Sequence, residues 1–121
     1  MIFKLKKEVQ FDIQPEIAVI LGYILAEWQL AGLGEFTVTS AKDSHTTGLH
    51  PVGQAVDIRT RHMYDVQRGH QPKVIAFVAE MKMKLRLLGV DLILHPEDMT
   101  GPPHLHCEYD PKVGRLLWER E

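Results

Sequence analysis

The chain has 121 residues, of which 45% are hydrophobic and 25% are charged, a composition typical of one globular domain spanning residues 1–121. Its formal net charge of -2 argues against nucleic acid or an anionic membrane surface as the main partner. The single cysteine, Cys107, has no partner for an internal disulfide, so the predicted fold does not depend on an oxidising compartment.

No targeting segment or membrane span is predicted. The basic start of the chain, Met1–Lys7, is not followed by the unbroken apolar run of a signal peptide. The most apolar stretch, Ile17–Leu33, is interrupted by Glu27 and Gln29. It is therefore typical of a buried amphipathic helix rather than of a membrane span.

Two segments have the three- and four-residue apolar spacing of helices. The first begins at Pro15, a residue suited to a first helical turn, and is ended by Gly32 and Gly34. The second runs from Pro72 to about Leu88 and is stopped by Gly89. The predicted apolar faces are Ile17, Ile20, Leu21, Ile24, Leu25 and Trp28 in the first helix, and Ile75, Val78, Ala79, Lys82 (by its stem), Leu85 and Leu88 in the second.

Four segments have the alternating pattern of strands. They are Phe36–Ser40, Gln54–Thr60, Val90–Leu94 and His104–Tyr109, and Met1–Ile13 predicts a further short strand followed by a loop. Two helices and about four strands predict an α+β fold in which a small antiparallel sheet packs against the two helices.

The predicted connections are polar or rich in proline. Ala41–Pro51 is a loop, Tyr64–Gln71 is an irregular connection, and His95–Pro103 is a loop rich in proline and acidic residues. Near the end of the chain, Leu116–Trp118 predicts a short apolar element that packs back on the domain.

A metal site is suggested by three residues from separate elements. His50, Asp57 and His106 supply two imidazoles and one carboxylate, and three such ligands with an open fourth position are typical of catalytic Zn²⁺. This donor set favours Zn²⁺ over Mg²⁺ or Ca²⁺, which prefer oxygen ligands. Strand alternation places His104 on the same face as His106 and turns Cys107 to the opposite face.

The same histidines are also compatible with a small structural domain that binds no metal, because a single histidine is more often a surface or core residue than a ligand. His62, His70 and His95 have no ligand spacing and are predicted to lie at the surface. His45 is predicted either to line the pocket or to be a polar loop residue hydrogen-bonded to Asp43.

The spacing of His50, Gly53, Ala55 and Asp57, with His106 far behind, resembles the motif pair of the zinc D-alanyl-D-alanine metallopeptidases. Their wider group includes lysostaphin-like enzymes and the hedgehog signalling domain, and the family pattern is His-x-x-Gly-x-Ala-x-Asp followed by a strand that ends in a ligand histidine. The resemblance is closest to short single-domain forms from bacteriophages and prophages. It implies a hedgehog/DD-peptidase-like fold and the same three zinc ligands.

The resemblance also implies a general base. Several members carry a carboxylate three residues before the last ligand, where this chain has Pro103. The lysostaphin-like branch uses the first histidine of His-x-His, which implies His104 here. Glu97 and Asp98 are alternative bases, and Glu108 is either another alternative or the group that orients a ligand imidazole.

The family arginine that holds a substrate carboxylate is missing, because Ala41-Lys42-Asp43 stands at its place, and Lys42 or Arg59 is predicted to substitute for it. The resemblance implies a zinc peptidase that cleaves a peptide bond of bacterial peptidoglycan, of D,D-carboxypeptidase or L-alanyl-D-glutamate endopeptidase type. It further implies a phage- or prophage-encoded enzyme, either released to the cell wall or virion-associated. The absence of a predicted signal peptide fits accumulation in the cytoplasm before release, without membrane insertion, and a small core with no separate wall-binding domain predicts a monomer. The alternative is a non-catalytic zinc-binding recognition module of the same fold, which Pro103 favours.

Overall fold

The computed structural model describes residues 3–5, 15–43, 54–99 and 101–110. Its helices and strands are, in chain order, β1 (Phe3–Leu5), α1 (Pro15–Leu30), β2 (Phe36–Asp43), β3 (Gln54–Arg59), β4 (Tyr64–Asp65), β5 (Gly69–His70), α2 (Pro72–Leu85), β6 (Val90–His95) and β7 (His104–Tyr109). Short 3₁₀ turns precede β4, at Arg61–Met63, and follow α2, at Arg86–Leu88. The predicted α+β class with two helices is confirmed.

The main sheet has five strands in the order β1-β2-β3-β7-β6. Its neighbouring strands are antiparallel except for β1 and β2, which pair in parallel. The predicted small antiparallel sheet is therefore confirmed, with β1 as a parallel addition at one edge. The two central strands, β3 and β7, are those on which the sequence places Asp57 and His106.

The connection predicted to be irregular between residues 64 and 71 is instead a hairpin of β4 and β5. Its turn is held by the Asp65 carboxylate, whose Oδ1 accepts the backbone N–H groups of Gln67 at 2.8 Å and Arg68 at 2.9 Å. Gly69 follows with a φ of +79°, which a residue without Cβ adopts easily. This turn chemistry closes a hairpin that the polar composition of the segment conceals.

The core lies on one face of the main sheet, where both helices pack. Trp28 of α1 is fully buried and meets Phe36 of β2 and Phe77 of α2 edge to face, with ring centroids 5.3 and 5.6 Å apart. Its indole N–H donates to the carbonyl of Gly34 at 3.1 Å, so the polar end of the ring is also satisfied. The predicted face of α1 is confirmed by the burial of Ile17, Ile20, Leu21, Ile24 and Trp28 and by the packing of Leu25 against this core.

The predicted face of α2 is partly wrong. The residues that it buries are Val74, Phe77, Val78, Met81 and Leu85. Ile75, Ala79 and Lys82 are exposed, because turning the larger Phe77 and Met81 side chains inward removes more apolar surface from water.

The β6 edge of the sheet has polar partners for its backbone. The Lys82 ammonium donates to the carbonyl of Leu92 at 3.3 Å and lies 3.2 Å from the Asp91 carboxylate. The backbone N–H of Leu92 donates to Asp91 Oδ1 at 3.0 Å. A charged pair therefore occupies part of an edge that would otherwise be open to pairing with another strand.

Two segments predicted from the sequence lie wholly or mostly outside the described residues. The predicted terminal element Leu116–Trp118 lies outside them, as does most of the predicted loop Ala41–Pro51, although β2 continues to Asp43.

Gly89 ends the turn after α2 with a φ of +87°, as predicted for a helix stop. Neither of the two described helices has the length and apolar character needed to cross a membrane.

Candidate functional site

Five of the predicted site residues lie together on the face of the sheet opposite the helices: Asp57, Arg59, His104, His106 and Glu108. In the pairing of β3 with β7, Asp57 lies opposite His106, Arg59 opposite His104, and Ala55 opposite Glu108. Side chains alternate along strands, so all of these share one face. The predicted common face of these residues is confirmed, and adjacent strands bring together residues that are far apart in the chain.

Asp57, His106 and Glu108 form a hydrogen-bonded row across this face. His106 Nδ1 donates to Asp57 Oδ1 at 2.8 Å, and His106 Nε2 donates to Glu108 Oε1 at 3.1 Å. The three side chains are about one quarter exposed. The hydrogen bond that His106 donates to Asp57 is the largest cause of its raised pKa; partial burial acts in the opposite direction, and the hydrogen bond to Glu108 raises the pKa further.

His104 is held in one orientation beside this row. Its Nδ1 donates to the carbonyl of Pro102 at 3.0 Å, which leaves Nε2 as the unprotonated ring nitrogen of the neutral form. That nitrogen lies 4.0 Å from Asp57 Oδ1. The ring of His104 therefore presents a proton-accepting atom towards the carboxylate that the sequence predicts as a ligand.

The remaining predicted ligand, His50, lies outside the described residues. Within the ranges that are described, no three His, Cys, Asp or Glu side chains form a complete metal-binding group. Lys42 lies on β2 opposite Ala55, and its side chain is also outside the described part of the chain. Two of the three predicted zinc ligands are thus brought into contact.

His95 is not the isolated surface residue that the sequence predicts. It is the last residue of β6 and lies opposite His104 in the β6–β7 pairing. Its ring stacks on that of His104, with centroids 4.7 Å apart and planes 20° from parallel. It also meets the ring of His106 edge to face, with centroids 6.1 Å apart. Residue 95 thus belongs to the site, and the predicted loop begins one residue later.

A cleft of about 400 Å³ opens beside Asp57 and His104. Among the described residues it is lined by Thr39, Ser40, Asp57, Arg59, Arg61, Gly101, Pro102, Pro103 and His104. Two guanidinium groups and two hydroxyl groups therefore surround a space that adjoins the candidate ligands. This combination suits a ligand that carries a carboxylate.

A bulge in β2 shapes one wall of this cleft. The register shifts between Val38, opposite Ile58, and Ser40, opposite Asp57, so Thr39 is the extra residue. The Thr39 hydroxyl donates to the carbonyl of Asp57 at 3.4 Å. The bulge thus brings two successive hydroxyl-bearing side chains to the cleft, where regular alternation would bring one.

Arg59 forms an ion pair with Glu35, in which Arg59 Nη1 lies 3.7 Å from Glu35 Oε2. Thr37 Oγ1 donates to the same Glu35 oxygen at 2.5 Å, and this hydrogen bond is the largest cause of a lowered Glu35 pKa. Glu35 therefore keeps its charge and orients Arg59 along the cleft wall. Arg61, by contrast, is exposed at the mouth of the cleft.

The alternative bases are placed less favourably. Glu97 and Asp98 are exposed, and neither is among the described residues that line the cleft. The backbone of Asp98 pairs with Gly101 in a small bridge. Pro103 is buried, and its carbonyl accepts the N–H of Thr60 at 3.4 Å. Glu108 contacts the far nitrogen of His106, which fits the predicted orienting role.

His70 is also more enclosed than predicted. Its Nε2 is hydrogen-bonded to the hydroxyl of fully buried Thr60 at 2.7 Å, and Tyr64 packs against its ring. Partial burial is the main cause of a lowered His70 pKa, and the nearby His104 adds to it. His62 remains exposed, as predicted, and donates from Nε2 to the carbonyl of Leu33 at 2.7 Å.

Cys107 lies in the core, on the face opposite His106, as strand alternation predicts. Burial is the main cause that raises the pKa of its thiol to about 12, and the carboxylates of Asp57, Asp91 and Glu108 contribute. A thiol in this environment is neither a nucleophile nor a metal ligand at neutral pH.

Four residues of the site were not assigned from the sequence: Arg61, Ser40, Thr39 and His95. Continuing the alternation of Val90–Leu94 by one residue puts His95 on the same face as Asp91 and Ile93, so that signal was present. Arg61 is two residues beyond Arg59, but it lies in a 3₁₀ turn rather than on the strand. The bulge at Thr39 has no sequence signal.

The comparisons with known proteins add no relative to this description. No protein-family model, no curated protein and no solved structure matches the chain. What the sheet face opposite the helices can do chemically is therefore inferred from the side chains and distances given above.

Proposed function

We propose that the protein is a zinc-dependent peptidase that hydrolyses a peptide bond in bacterial peptidoglycan. The observation that carries the proposal is the convergence of Asp57 Oδ1, His106 Nδ1 and His104 Nε2 beside an arginine-lined cleft. A carboxylate and an imidazole in contact, with a second imidazole that has a free nitrogen, are the parts of a hydrolytic metal site.

The donor atoms present suit Zn²⁺. Both ring nitrogens of His106 donate to carboxylates; Asp57 Oδ1 and His106 Nδ1, once Nδ1 has lost its proton, would hold the ion, while Nε2 stays protonated and donates to Glu108. The oxygen and nitrogen donors are in contact at 2.8 Å, so they are close enough for one ion to be held by both. We propose Asp57 and His106 as two ligands and His50 as the third.

The proposed reaction uses His104 as the general base. Bound zinc would polarise the scissile carbonyl and lower the pKa of a water molecule to about 7. His104 Nε2 accepts the proton of the attacking water as the new C–O bond forms. The same nitrogen returns that proton to the leaving amine as the C–N bond breaks. The Pro102 carbonyl keeps Nδ1 protonated throughout, so Nε2 is the nitrogen that carries the transferred proton.

The cleft is proposed to hold the carboxylate end of the substrate. Arg61 supplies an exposed guanidinium, and Arg59 supplies a second that Glu35 orients. Ser40 offers a hydroxyl from the opposite wall. Lys42 remains a proposed contributor. Peptide stems with a free carboxylate next to the cleaved bond fit this cleft, as in D,D-carboxypeptidase or L-alanyl-D-glutamate endopeptidase substrates.

The biological setting is part of the same proposal. We propose a phage- or prophage-encoded enzyme that acts as a monomer and reaches the cell wall after release from the cytoplasm or as part of the virion. A non-catalytic zinc-binding module is the second candidate. It is favoured by the burial of Pro103 at the place where several relatives of the proposed family carry a carboxylate base.

Zinc analysis and digestion of purified peptidoglycan test the proposal together. The wild-type protein should bind one equivalent of zinc and release new amine termini, read by mass spectrometry of the fragments. His106→Ala should lose both properties, whereas His104→Ala should keep the zinc and lose cleavage by roughly 10²–10⁴-fold. Arg61→Gln should raise KM, and Arg68→Gln, on the exposed hairpin turn, serves as its matched control.

The outcomes separate the candidates. A folded wild-type protein without stoichiometric zinc would remove the metal site from consideration. Zinc binding without cleavage would support the recognition module. Full cleavage by a zinc-loaded His104→Ala would assign the base to another residue, and Glu97 and Asp98 would then be the next to substitute.

A further inference from the structure

We propose that His95 is a positioning residue that holds the imidazole of His104 in its proton-accepting orientation, an inference that rests on the proposed function. The two residues lie opposite each other on β6 and β7. Their rings are nearly parallel, 20° apart, with centroids 4.7 Å apart. This is the offset arrangement that flat rings prefer.

The ring of His104 is restrained in two independent ways. The Pro102 carbonyl accepts a hydrogen bond from Nδ1 at 3.0 Å and sets which nitrogen carries the proton. That hydrogen bond is exposed, and alone it does not stop the ring from rotating about its Cβ–Cγ bond and breaking the hydrogen bond. His95 covers one face of the ring and opposes this motion.

The orientation of the His104 ring sets the position of its Nε2 atom. It is 4.0 Å from Asp57 Oδ1, at the edge of the cleft proposed for substrate. A rotation of the ring away from His95 would move this nitrogen from the position where it meets the attacking water. Displacement of a catalytic group by about 1 Å can cost about 10²-fold in rate.

His95 is itself fixed by its neighbours. It is half-buried at the end of β6, and its ring also meets His106 edge to face with centroids 6.1 Å apart. Its ring therefore contacts both the proposed base and a proposed ligand. Neither contact requires a nitrogen of His95, so a flat apolar ring should serve the same purpose.

The orientation can be measured without catalysis. In metal-free protein at a pH where imidazoles are neutral, two-bond ¹H–¹⁵N correlation spectra report which ring nitrogen carries the proton. The wild-type protein should show His104, identified by its loss in His104→Gln, as a single Nδ1-protonated form. His95→Ala should move both nitrogen signals to intermediate, averaged values, and His95→Phe should restore the wild-type pattern. An unchanged His104 pattern in His95→Ala would overturn the proposal.

Kinetics give the second readout. For a peptidoglycan substrate, His95→Ala should lower kcat about tenfold to a hundredfold while KM stays within about threefold, and zinc stoichiometry should not change. His95→Phe should recover most of kcat. Met99→Ala, on the exposed loop after β6, is the matched control and should leave both constants unchanged.

The two proposals fail in different ways. A wild-type protein that cleaves nothing would remove the proposed function and leave the spectroscopic test of ring orientation intact. A His95→Phe variant as slow as His95→Ala would show that the nitrogens of His95 act directly, which overturns positioning by stacking. Loss of zinc in His95→Ala would overturn it as well, because the residue would then support the metal rather than the base.

Discussion

Replacing Glu108 with Gln tests how the candidate metal centre is held. Glu108 Oε1 accepts the Nε2 proton of His106 at 3.1 Å and so directs Nδ1 towards Asp57. A hydrogen bond to a charged group contributes about 1.5–3 kcal/mol. The Glu108 side chain is 29% exposed, so solvent screening reduces this to about 1–2 kcal/mol.

Since about 1.4 kcal/mol corresponds to a tenfold change in the dissociation constant, Glu108→Gln should weaken zinc binding about 5–30-fold. This range overlaps the loss of about 10–100-fold that is typical when the partner of a ligand histidine is removed. Competition with a chromophoric chelator at constant ionic strength measures the affinity. Circular dichroism establishes that the variant is folded.

Asp91→Asn is the matched control, because Asp91 lies opposite Glu108 in the β6–β7 pairing and interacts with Lys82. It removes the same charge from the same face without a contact to His106. Its zinc affinity should stay within about twofold of the wild-type value. Equal losses in the two variants would show that net charge, rather than orientation of His106, sets the affinity and would refute the reasoning.

Three further changes probe the fold around the site. Trp28→Ala should lower the free energy of unfolding by about 3–5 kcal/mol, measured by urea denaturation, whereas exposed Leu30→Ala should change it by less than about 0.5 kcal/mol. The pKa of His70 is lower in the folded protein than in the unfolded chain, so below about pH 6.5 the unfolded chain binds more protons at this residue. The stability that neutral His70 contributes is therefore present above that pH and is lost as the pH falls. His70→Asn should therefore lose less stability than the wild-type protein between pH 7.5 and about 5.5, and an equal loss would contradict the assigned burial. The thiol of Cys107, with its pKa raised to about 12, should resist alkylation in the native protein at about pH 8 and react in urea; rapid native labelling would show that the core opens there.

Much of the architecture follows from local pattern. The spacing of Ile17, Ile20, Leu21, Ile24 and Trp28 predicted α1 and its buried face, since a helix repeats every 3.6 residues whatever it packs against. Strand alternation likewise predicted that Asp57 and His106 share faces with Arg59 and His104, respectively. The prediction for the face of α2 was partly wrong because two overlapping sets of apolar residues satisfy the helical repeat, and the tertiary structure buries the set that includes Phe77, which packs against Trp28.

For the candidate site, too, the sequence predicted the residues but not all of their contacts. Residue types and spacing were sufficient to single out Asp57, His104, His106 and Glu108 as candidates, because strand geometry fixes which side chains share a face. The pairing of β3 with β7 is long-range, and it alone decides that Asp57 Oδ1 meets His106 Nδ1 rather than another partner.

The sequence by itself determined both helices, strands β2, β3, β6 and β7, and the chemical character of the sheet face opposite the helices, since these depend on local repeats and on the donor atoms of each residue type. Only the tertiary structure decided the stack of His95 on His104, the entry of Arg61 into the cleft, and the bulge at Thr39. Each of these depends on the register between strands or on a turn that ends one of them. A shift of one residue in that register would reverse the face of every side chain involved, so the contacts exist only once the whole sheet is paired.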